Sequence, residues 1–357
     1  MATADPLANT YPMPPLLVSK KTFCVAGIFT TVYGLDELNP RVQDVACLWL
    51  LHPRLQTQEC MAPVAASTIN AWEQQKLKTK KEKALGLICV SFDQRNHGSR
   101  EVDAFSNGTW RDGNKTHAQD MFASYHGTAT DTSHLINYIS SYIFSGSEHL
   151  IVDHLVLGVS LGGHAAWHCI MHDPRITTAV VIIGCPDYVR LMSDRARLSK
   201  LGTWTNSSPP GSSFLGSTDF PQGLVEAVKR YDPAGLLLGE NTSCYHDFYD
   251  RNPTVSEQTR LLPLMKSLLQ GKRILNLAGA ADKLVPYECG KPFLRWLKTA
   301  TASHGWFNDG GVVLEDIVFD GVGHDMSPGM VREAHRFVTE GLEQSPLIEN
   351  AGRGSKI

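Results

Sequence analysis

The 357-residue sequence lacks several features that mark whole classes of protein. It has no apolar run near the roughly 20 residues that a membrane-spanning helix requires, and its first residues lack the basic and then apolar pattern of a secretion signal. Its 33 Lys and Arg residues against 36 Asp and Glu give a net charge of -3, so no broad basic surface is available to capture nucleic acid. We therefore expect neither a nucleic-acid partner nor an integral membrane segment.

Cysteine pairs are also missing. Eight cysteines are scattered along the chain without a Cys-x-x-Cys pair or a nearby cluster with histidine. This distribution indicates neither a disulfide framework nor a zinc site, and it fits a reducing compartment. The composition, with 42% hydrophobic and 19% charged residues, is typical of a chain that buries a core. We expect an intracellular globular protein that needs no metal and no organic cofactor.

Apolar runs alternate with helical patterns over most of the chain, which is typical of a mostly parallel sheet with crossover helices. The apolar runs predict strands at Phe23–Tyr33, Ala46–Leu51, Leu85–Phe92, Leu155–Val159, Ala179–Ile183, Ile274–Leu277 and Ile317–Phe319. Helical patterns occur at Ser67–Lys83, Met121–Ile143, Gly162–His172 and Pro328–Glu343. The sequence therefore predicts an α/β fold with a doubly wound, mostly parallel sheet.

One interval breaks this alternation. About 85 residues separate the strand that ends near Gly184 from the strand that begins near Arg273, which is too many for a crossover connection alone. We expect residues 185–270 to form a cap or lid inserted into the core; a separately folding domain is the alternative. The core then consists of residues 1–184 and 271–344, and the polar residues 345–357 form a flexible tail.

The central chemical motif is the pentapeptide Gly158-Val-Ser-Leu-Gly162. It lies between a predicted strand and a predicted helix, so Ser160 occupies the sharp turn where a nucleophile elbow belongs. Small residues are needed there because the turn is strained and the neighbouring backbones approach closely. The N-terminus of the following helix also favours developing negative charge. These features identify Ser160 as the candidate nucleophile; an ordinary turn with a capping serine is the alternative.

A serine hydroxyl is a weak nucleophile without a base to accept its proton. Asp282 and His324 each follow a later strand, in the order acid and then histidine that suits this arrangement. We expect His324 to act as base and then acid, and Asp282 to orient its ring. Asp187 is an alternative acid, because it follows the preceding strand. Packing or surface roles are expected for the helical histidines His126, His134, His164, His168 and His172.

An acyl-transfer site also needs hydrogen-bond donors for the oxyanion. The first expected donor is the backbone N–H of Leu161, directly after the nucleophile. The second should come from the loop His52-Pro53-Arg54 after an early strand. Because proline has no N–H, the donor must be Arg54 or a later residue. The segment Asp93–Ser99, after the next strand, is expected to be scaffolding of the core.

These residues together resemble the α/β-hydrolase superfamily from about Phe23 to Glu343. The resemblance implies the α/β-hydrolase fold and a serine hydrolase with Ser160, Asp282 and His324 at the triad positions. Many superfamily members have His-Gly where this chain has His-Pro, and that departure leaves the second oxyanion donor open. More narrowly, the chain is similar to fungal peroxisomal hydrolases of host-selective toxin biosynthesis (the AK-toxin type) and to the yeast peroxisomal lipase. The similar stretches are Leu51–Glu59, Asn114–Phe122, Gly158–His164 and Ser355–Ile357.

The last three residues, Ser355-Lys356-Ile357, differ from the peroxisomal signal Ser-Lys-Leu only in the final side chain. We expect the peroxisomal import receptor to bind this tripeptide. A cytoplasmic protein with a fortuitous tail is the alternative.

The function that we expect is hydrolysis of a carboxylic ester, lactone or thioester of a mid-sized apolar metabolite, in fungal secondary metabolism. Because this fold supports many reactions, a lyase, acyltransferase or cyclase is an alternative. A third hypothesis is that the protein binds a ligand without catalysis. The presence of all three triad residue types argues against it.

Overall fold

The computed structural model describes residues 5–79, 84–239 and 251–344. Strands β1 to β8 comprise Lys20–Val25, Ile28–Tyr33, Asp44–Leu51, Gly86–Phe92, Leu150–Val159, Ile176–Ile182, Arg273–Gly279 and Val313–Phe319. They form one eight-stranded sheet in the order β1-β2-β4-β3-β5-β6-β7-β8. The pairs β1–β2 and β2–β4 are antiparallel, and the other neighbours are parallel. This is the mostly parallel, doubly wound sheet that the sequence predicts.

Helices cover both faces of the sheet. In chain order, α1 to α11 comprise Ala62–Thr79, His117–Ile136, Ile139–Ile143, Leu161–His172, Tyr188–Leu198, Gly202–Thr205, Gln222–Tyr231, Pro233–Leu238, Val255–Leu269, Tyr287–Thr301 and Pro328–Glu343. Helices α1 and α11 pack in the hydrophobic core on one face. Helices α2, α4, α5, α9 and α10 contribute to the core on the other face. None of the helices in the described ranges combines the length and apolar character that crossing a membrane requires.

From Val45 onwards the sequence of strand β3 is an unbroken apolar run, and the packing of the strand explains why. Successive side chains of a strand point to opposite faces, and a parallel sheet covered on both faces buries both sets. The side chains that pack towards α2 and α4 are Cys47, Trp49 and Leu51. Those that pack towards α1 and α11 are Ala46, Leu48 and Leu50. Both sets are inaccessible to solvent, so β3 lies in the middle of the fold and its C-terminal end has a fixed position.

Two predicted elements differ from the structure. The single strand predicted at Phe23–Tyr33 is wrong, because β1 and β2 form a hairpin with a turn at Ala26-Gly27. Both turn residues have positive φ, 50° and 82°, as the tight hairpin turns that match strand twist require. The helix predicted at Met121–Ile143 is divided into α2 and α3, with a break at Asn137-Tyr138. Apolar residues flank both breaks closely and conceal them in the sequence.

The interval between β6 and β7 is largely helical. Its described residues form α5 to α9; α8 and α9 pack against α4, and α5 packs against α10. The role of residues 185–270 as a cap stays a prediction. Residues 240–250 lie outside the described residues, as do the predicted tail 345–357 and its tripeptide Ser355-Lys356-Ile357.

Candidate active site

Ser160 lies between β5 and α4 in a backbone conformation that most residues avoid. Its φ is 55° and its ψ is -113°. A non-glycine residue with positive φ is strained and persists only when its surroundings fix it. Here the Ser160 N–H donates to the carbonyl of Ile182 at 2.9 Å, and its own carbonyl accepts from the N–H of His164 at 3.0 Å. Neighbouring β6 and the first turn of α4 therefore fix the serine at the sheet edge.

The glycines of the pentapeptide allow the backbones to approach. A Cβ atom on Gly158 would overlap the backbone of Gly162, and one on Gly162 would overlap the carbonyl of Leu51. The turn thus packs directly on the end of β3. This contact places Ser160 beside the loop His52-Pro53-Arg54, where the second oxyanion donor is predicted.

We expect Gly162→Ala to lower the free energy of unfolding by about 3 kcal/mol or more, because the added methyl group must displace main-chain atoms. Gly223 provides a matched control: it lies in α7, and a Cβ there would have no heavy atom within 4 Å. Gly223→Ala should raise the free energy of unfolding by up to ~1 kcal/mol, since alanine favours a helix. Urea unfolding of both variants measures the two effects. Equal free energies for the two variants would contradict the close packing at the elbow.

The structure brings the three predicted triad residues together. Ser160 Oγ lies 2.8 Å from His324 Nε2, and His324 Nδ1 lies 2.8 Å from Asp282 Oδ2. The other oxygen of Asp282 accepts from the backbone N–H groups of Leu284 and Val285 at 2.8 and 2.9 Å. The Asp282 side chain is 1% exposed and that of His324 is 14% exposed. The carboxylate is therefore fixed and dehydrated, with one oxygen facing the imidazole.

Asp187, the alternative acid, lies at the N-terminus of a helix. Asp187 is fully buried and caps the N-terminus of α5, where its carboxylate accepts from the N–H of Arg190 at 3.0 Å. A carboxylate at this position stabilises a helix by satisfying an unpaired N–H group. The geometry therefore favours Asp282 over Asp187 as the residue that orients His324.

The loop after β3 is fixed by the side chain of its own histidine. His52 Nε2 accepts from the N–H of Gln94 at 2.9 Å, so its Nδ1 carries the proton and donates to the Pro53 carbonyl at 2.7 Å. The Gln94 side chain also donates to the His52 carbonyl. Burial lowers the pKa of His52 to about 4, which keeps the ring neutral near pH 7. His52, which matches the superfamily pattern, therefore fixes the loop in which Pro53 departs from that pattern.

This buried histidine makes stability depend on pH. Because the pKa falls from 6.5 to about 4 on folding, the unfolded chain binds the proton more tightly. The resulting stability is fully present above pH 6.5 and is lost as the pH falls towards 4, a loss of ~3 kcal/mol at most. We expect His52→Gln to reduce proton uptake on unfolding at pH 5 by about one proton. The pH dependence of the free energy of urea unfolding between pH 7 and 5 measures this proton uptake. The same pH dependence in His52→Gln and in the unmodified protein would contradict the buried neutral ring.

The segment Asp93–Ser99 has the contacts expected of scaffolding. Asp93 Oδ1 accepts from the N–H of Gln58 at 2.7 Å, and Oδ2 accepts from the N–H and hydroxyl of Ser99 at 2.8 and 2.7 Å. These bonds lower the pKa of the Asp93 carboxyl despite its burial. They fix the segment after β4 and connect it to the segment after β3.

A cavity of about 830 Å³ opens in front of the serine hydroxyl. Ser160, His324, Leu161 and Arg54 all belong to its wall. The two residues whose N–H groups are predicted to bind the oxyanion therefore both border the space in front of the nucleophile. Apolar parts of the wall come from Leu55, Trp110, Met121, Leu198 and Val285. No cluster of three or more His, Cys, Asp or Glu side chains suited to a metal occurs within residues 5–79, 84–239 and 251–344.

Some residues that border the cavity were not predicted from the sequence to do so. His117, His164 and Arg195 border the cavity, although no motif contains Arg195. One signal was present: Arg195 lies four residues after Leu191 and therefore on the apolar face of α5. A charged residue at such a position of an amphipathic helix is either paired or functional.

No family model and no curated protein matches the chain. Solved structures do resemble it. The Thermus thermophilus protein TT1662 has a TM-score of 0.54 and 16% identity, over 92% of this chain and 99% of the other. A Mycobacterium tuberculosis puromycin-hydrolyzing peptidase has a TM-score of 0.51 and 11% identity over 94% of this chain. The Pyrococcus horikoshii acylaminoacyl peptidase has a TM-score of 0.50 and 11% identity over 92% of this chain.

The chain covers only 41% of the length of each of these two peptidases. At such low identities the likeness shows the fold alone. Together with the sheet order and the turn at Ser160, it establishes that this chain has the α/β-hydrolase fold.

Proposed function

We propose that the protein is a serine hydrolase that cleaves a carboxylic ester, lactone or thioester of a small metabolite. The observation that carries the proposal is the continuous hydrogen-bonded path from Ser160 through His324 to Asp282, with two contacts of 2.8 Å. Nucleophile, base and orienting acid at hydrogen-bond distance are what acyl transfer to a serine requires. The path ends at a cavity of about 830 Å³, which has the size of a small-molecule site.

In the proposed reaction each of these residues performs one step. Ser160 Oγ attacks the carbonyl carbon while His324 Nε2 accepts its proton, and the Asp282 carboxylate stabilises the charged imidazole. The backbone N–H groups of Leu161 and Arg54 donate to the oxyanion. His324 then protonates the leaving alcohol or thiol. A water molecule, deprotonated by the same imidazole, releases the acid from the serine.

We further propose that residues 185–270 act as the cap that shapes the substrate cavity. Arg195, Leu198 and Ser199, from the first helix of this interval and the residue that follows it, border the cavity directly. A covered site excludes water and strengthens the electrostatic interactions of the triad.

Kinetics with activated substrates test the reaction type. We expect p-nitrophenyl butyrate to give a burst of p-nitrophenol close to one equivalent per active site, because an acyl-enzyme accumulates. The p-nitroanilide of butyric acid should react far more slowly if the enzyme is built for esters. A protein that binds the ester but releases no p-nitrophenol above background would instead be a ligand-binding protein.

Two finer proposals rest on the sequence resemblance. The first is a role in fungal secondary metabolism of the toxin-biosynthesis type, and the second is import into peroxisomes through Ser355-Lys356-Ile357. A fluorescent protein that carries the final residues of this chain tests import. It should be concentrated in peroxisomes only when the tripeptide is present, and a diffuse signal would favour the cytoplasm.

A further inference from the structure

The wall of the cavity in front of Ser160 is positively charged. Four of its residues are cationic, namely Arg54, Arg111, Arg195 and Lys283, and one is anionic, Asp112. The chain as a whole has a net charge of -3. The cation excess is therefore a local property of this cavity. A concave wall of one sign raises the local concentration of ligands of the opposite sign.

Arg195 is held in this wall by neutral groups. It donates to the Leu284 carbonyl at 3.0 Å, to the Met121 sulfur, and to His117 Nε2 at 3.3 Å. His117 Nδ1 donates to the Gly108 carbonyl at 2.9 Å. Burial, Arg195 and Arg54 lower the pKa of His117 to about 3, so this ring is a neutral acceptor. Nothing in this set neutralises the guanidinium charge.

Arg54 has a similar environment. Its guanidinium donates to the Asn107 carbonyl at 3.0 Å. Burial and the nearby charge of Arg195 lower the pKa of Arg54 to about 10, which still leaves it charged near neutral pH. The two cations border the same cavity, and the charge of Arg195 acts on Arg54.

Several other arginines of this fold do have carboxylate partners. Arg95 and Arg100 pair with Asp131 at 2.9 and 2.8 Å, and Arg175 pairs with Asp173 at 2.6 Å. In the described part of the chain, neither Arg54 nor Arg195 forms an ion pair with a carboxylate. Leaving charges partly dehydrated without a counterion is costly, so a protein that keeps two of them together gains from an anion that binds there.

We propose that Arg54 and Arg195 bind a carboxylate carried by the substrate, so that the preferred substrates are esters with a free carboxylate group. Planar guanidinium groups match the two oxygens of a carboxylate and hold it with paired hydrogen bonds. The apolar wall around Trp110 and Leu198 would contact the aliphatic chain between carboxylate and ester. Cleavage of that ester rests on the proposed function; binding of the carboxylate does not.

The anion site adjoins the catalytic acid. Arg195 donates to the carbonyl of Leu284, whose N–H donates to Asp282 Oδ1. Arg195 therefore also connects α5 to the loop of the acid. A purely structural role of Arg195 would affect neutral and anionic ligands equally, whereas carboxylate binding changes the preference between them. The ratio of the affinities for anionic and neutral ligands is therefore the quantity to measure.

Calorimetric titration of the Ser160→Ala protein measures binding without turnover. The matched ligands are monomethyl suberate, which is anionic, and dimethyl suberate, which is neutral. A second pair, 6-acetoxyhexanoate and its methyl ester, carries the carboxylate on the alcohol side. We expect the anionic member of at least one pair to bind about tenfold or more tightly than its neutral partner, as charge-assisted paired bonds suggest. Equal affinities within both pairs would overturn the proposal.

Substitutions in the Ser160→Ala background locate the effect. Arg195→Gln and, separately, Arg54→Gln should reduce the preference for the anionic ligand to less than about threefold, since each removes one of the two guanidinium groups that bind the carboxylate. Arg197→Gln is the matched control, because Arg197 lies on the same helix, pairs with Asp194 at 2.6 Å and is absent from the cavity wall. It should keep the full preference. A preference that survives both cavity substitutions would also overturn the proposal.

Turnover by the unmodified enzyme is measured separately with the same ligands. Selective binding without ester cleavage would leave the anion site in place and refute the proposed function. Cleavage of both members of a pair with equal affinity would support the proposed function and refute the anion site. Circular dichroism identifies a variant that does not fold, and the other arginine then supplies the test.

Discussion

Ser160→Ala is expected to abolish labelling by a fluorophosphonate and to lower kcat for p-nitrophenyl butyrate by roughly 10⁶-fold. In the proposed mechanism the acyl group is transferred to Ser160 Oγ, which lies 2.8 Å from His324 Nε2. Without it, His324 can at best activate water, which leaves only the residual catalysis of the oxyanion donors. Steady-state kinetics and mass spectrometry of the labelled protein provide the two measurements.

Ser141→Ala is the matched control for this substitution. Ser141 is an exposed residue of α3 whose hydroxyl donates to the Tyr138 carbonyl at 2.7 Å, within its own turn. Its loss should leave both labelling and kcat unchanged. If Ser160→Ala and Ser141→Ala retained equal activity, another residue would have to be the nucleophile.

Asp282→Asn is expected to lower kcat by about 10⁴-fold, the size of effect that the corresponding change has in a Ser-His-Asp triad. An amide that donates to His324 Nδ1 would stabilise the wrong tautomer and would not stabilise the imidazolium ion. The amide oxygen can still accept from Leu284 and Val285, whose N–H groups lie 2.8 and 2.9 Å from Asp282 Oδ1. We therefore expect the loop to keep its conformation, and near-ultraviolet circular dichroism should change little.

Asp187→Asn separates the two candidate acids. Because an asparagine amide oxygen can still cap α5 by accepting from the N–H of Arg190, Asp187→Asn should keep the fold, and kcat should change by less than about tenfold. The opposite pattern, with Asp187→Asn inactive and Asp282→Asn active, would show that the acid follows β6 and not β7.

Much of the fold was predictable because buried parallel strands and their crossover helices have simple patterns. The run Val45–Leu51 is apolar throughout because both faces of β3 are covered. The β1–β2 hairpin was not predictable in the same way. Its turn, Ala26-Gly27, lacks the Asn-Gly or Asp-Gly pair that announces such turns, and the apolar residues continue through it.

The candidate site also has a part that the sequence predicts and a part that it does not. Ser160, Asp282 and His324 each follow a strand, so the alternation of elements was enough to place them at one edge of the sheet. Arg195 comes from the inserted interval, where local pattern predicts a helix but not which face of it borders the nucleophile. The charge of the cavity depends on that orientation, and only the three-dimensional structure supplies it.

The claim that Ser160 is an activated nucleophile is tested most directly by locating a covalent adduct. The folded protein is incubated with a fluorophosphonate, digested, and analysed by tandem mass spectrometry. The path from Ser160 through His324 to Asp282 predicts one adduct, on Ser160, that forms much more slowly in Asp282→Asn. An adduct on a different serine, or labelling of Ser160 at the same rate after the protein is unfolded, would contradict it.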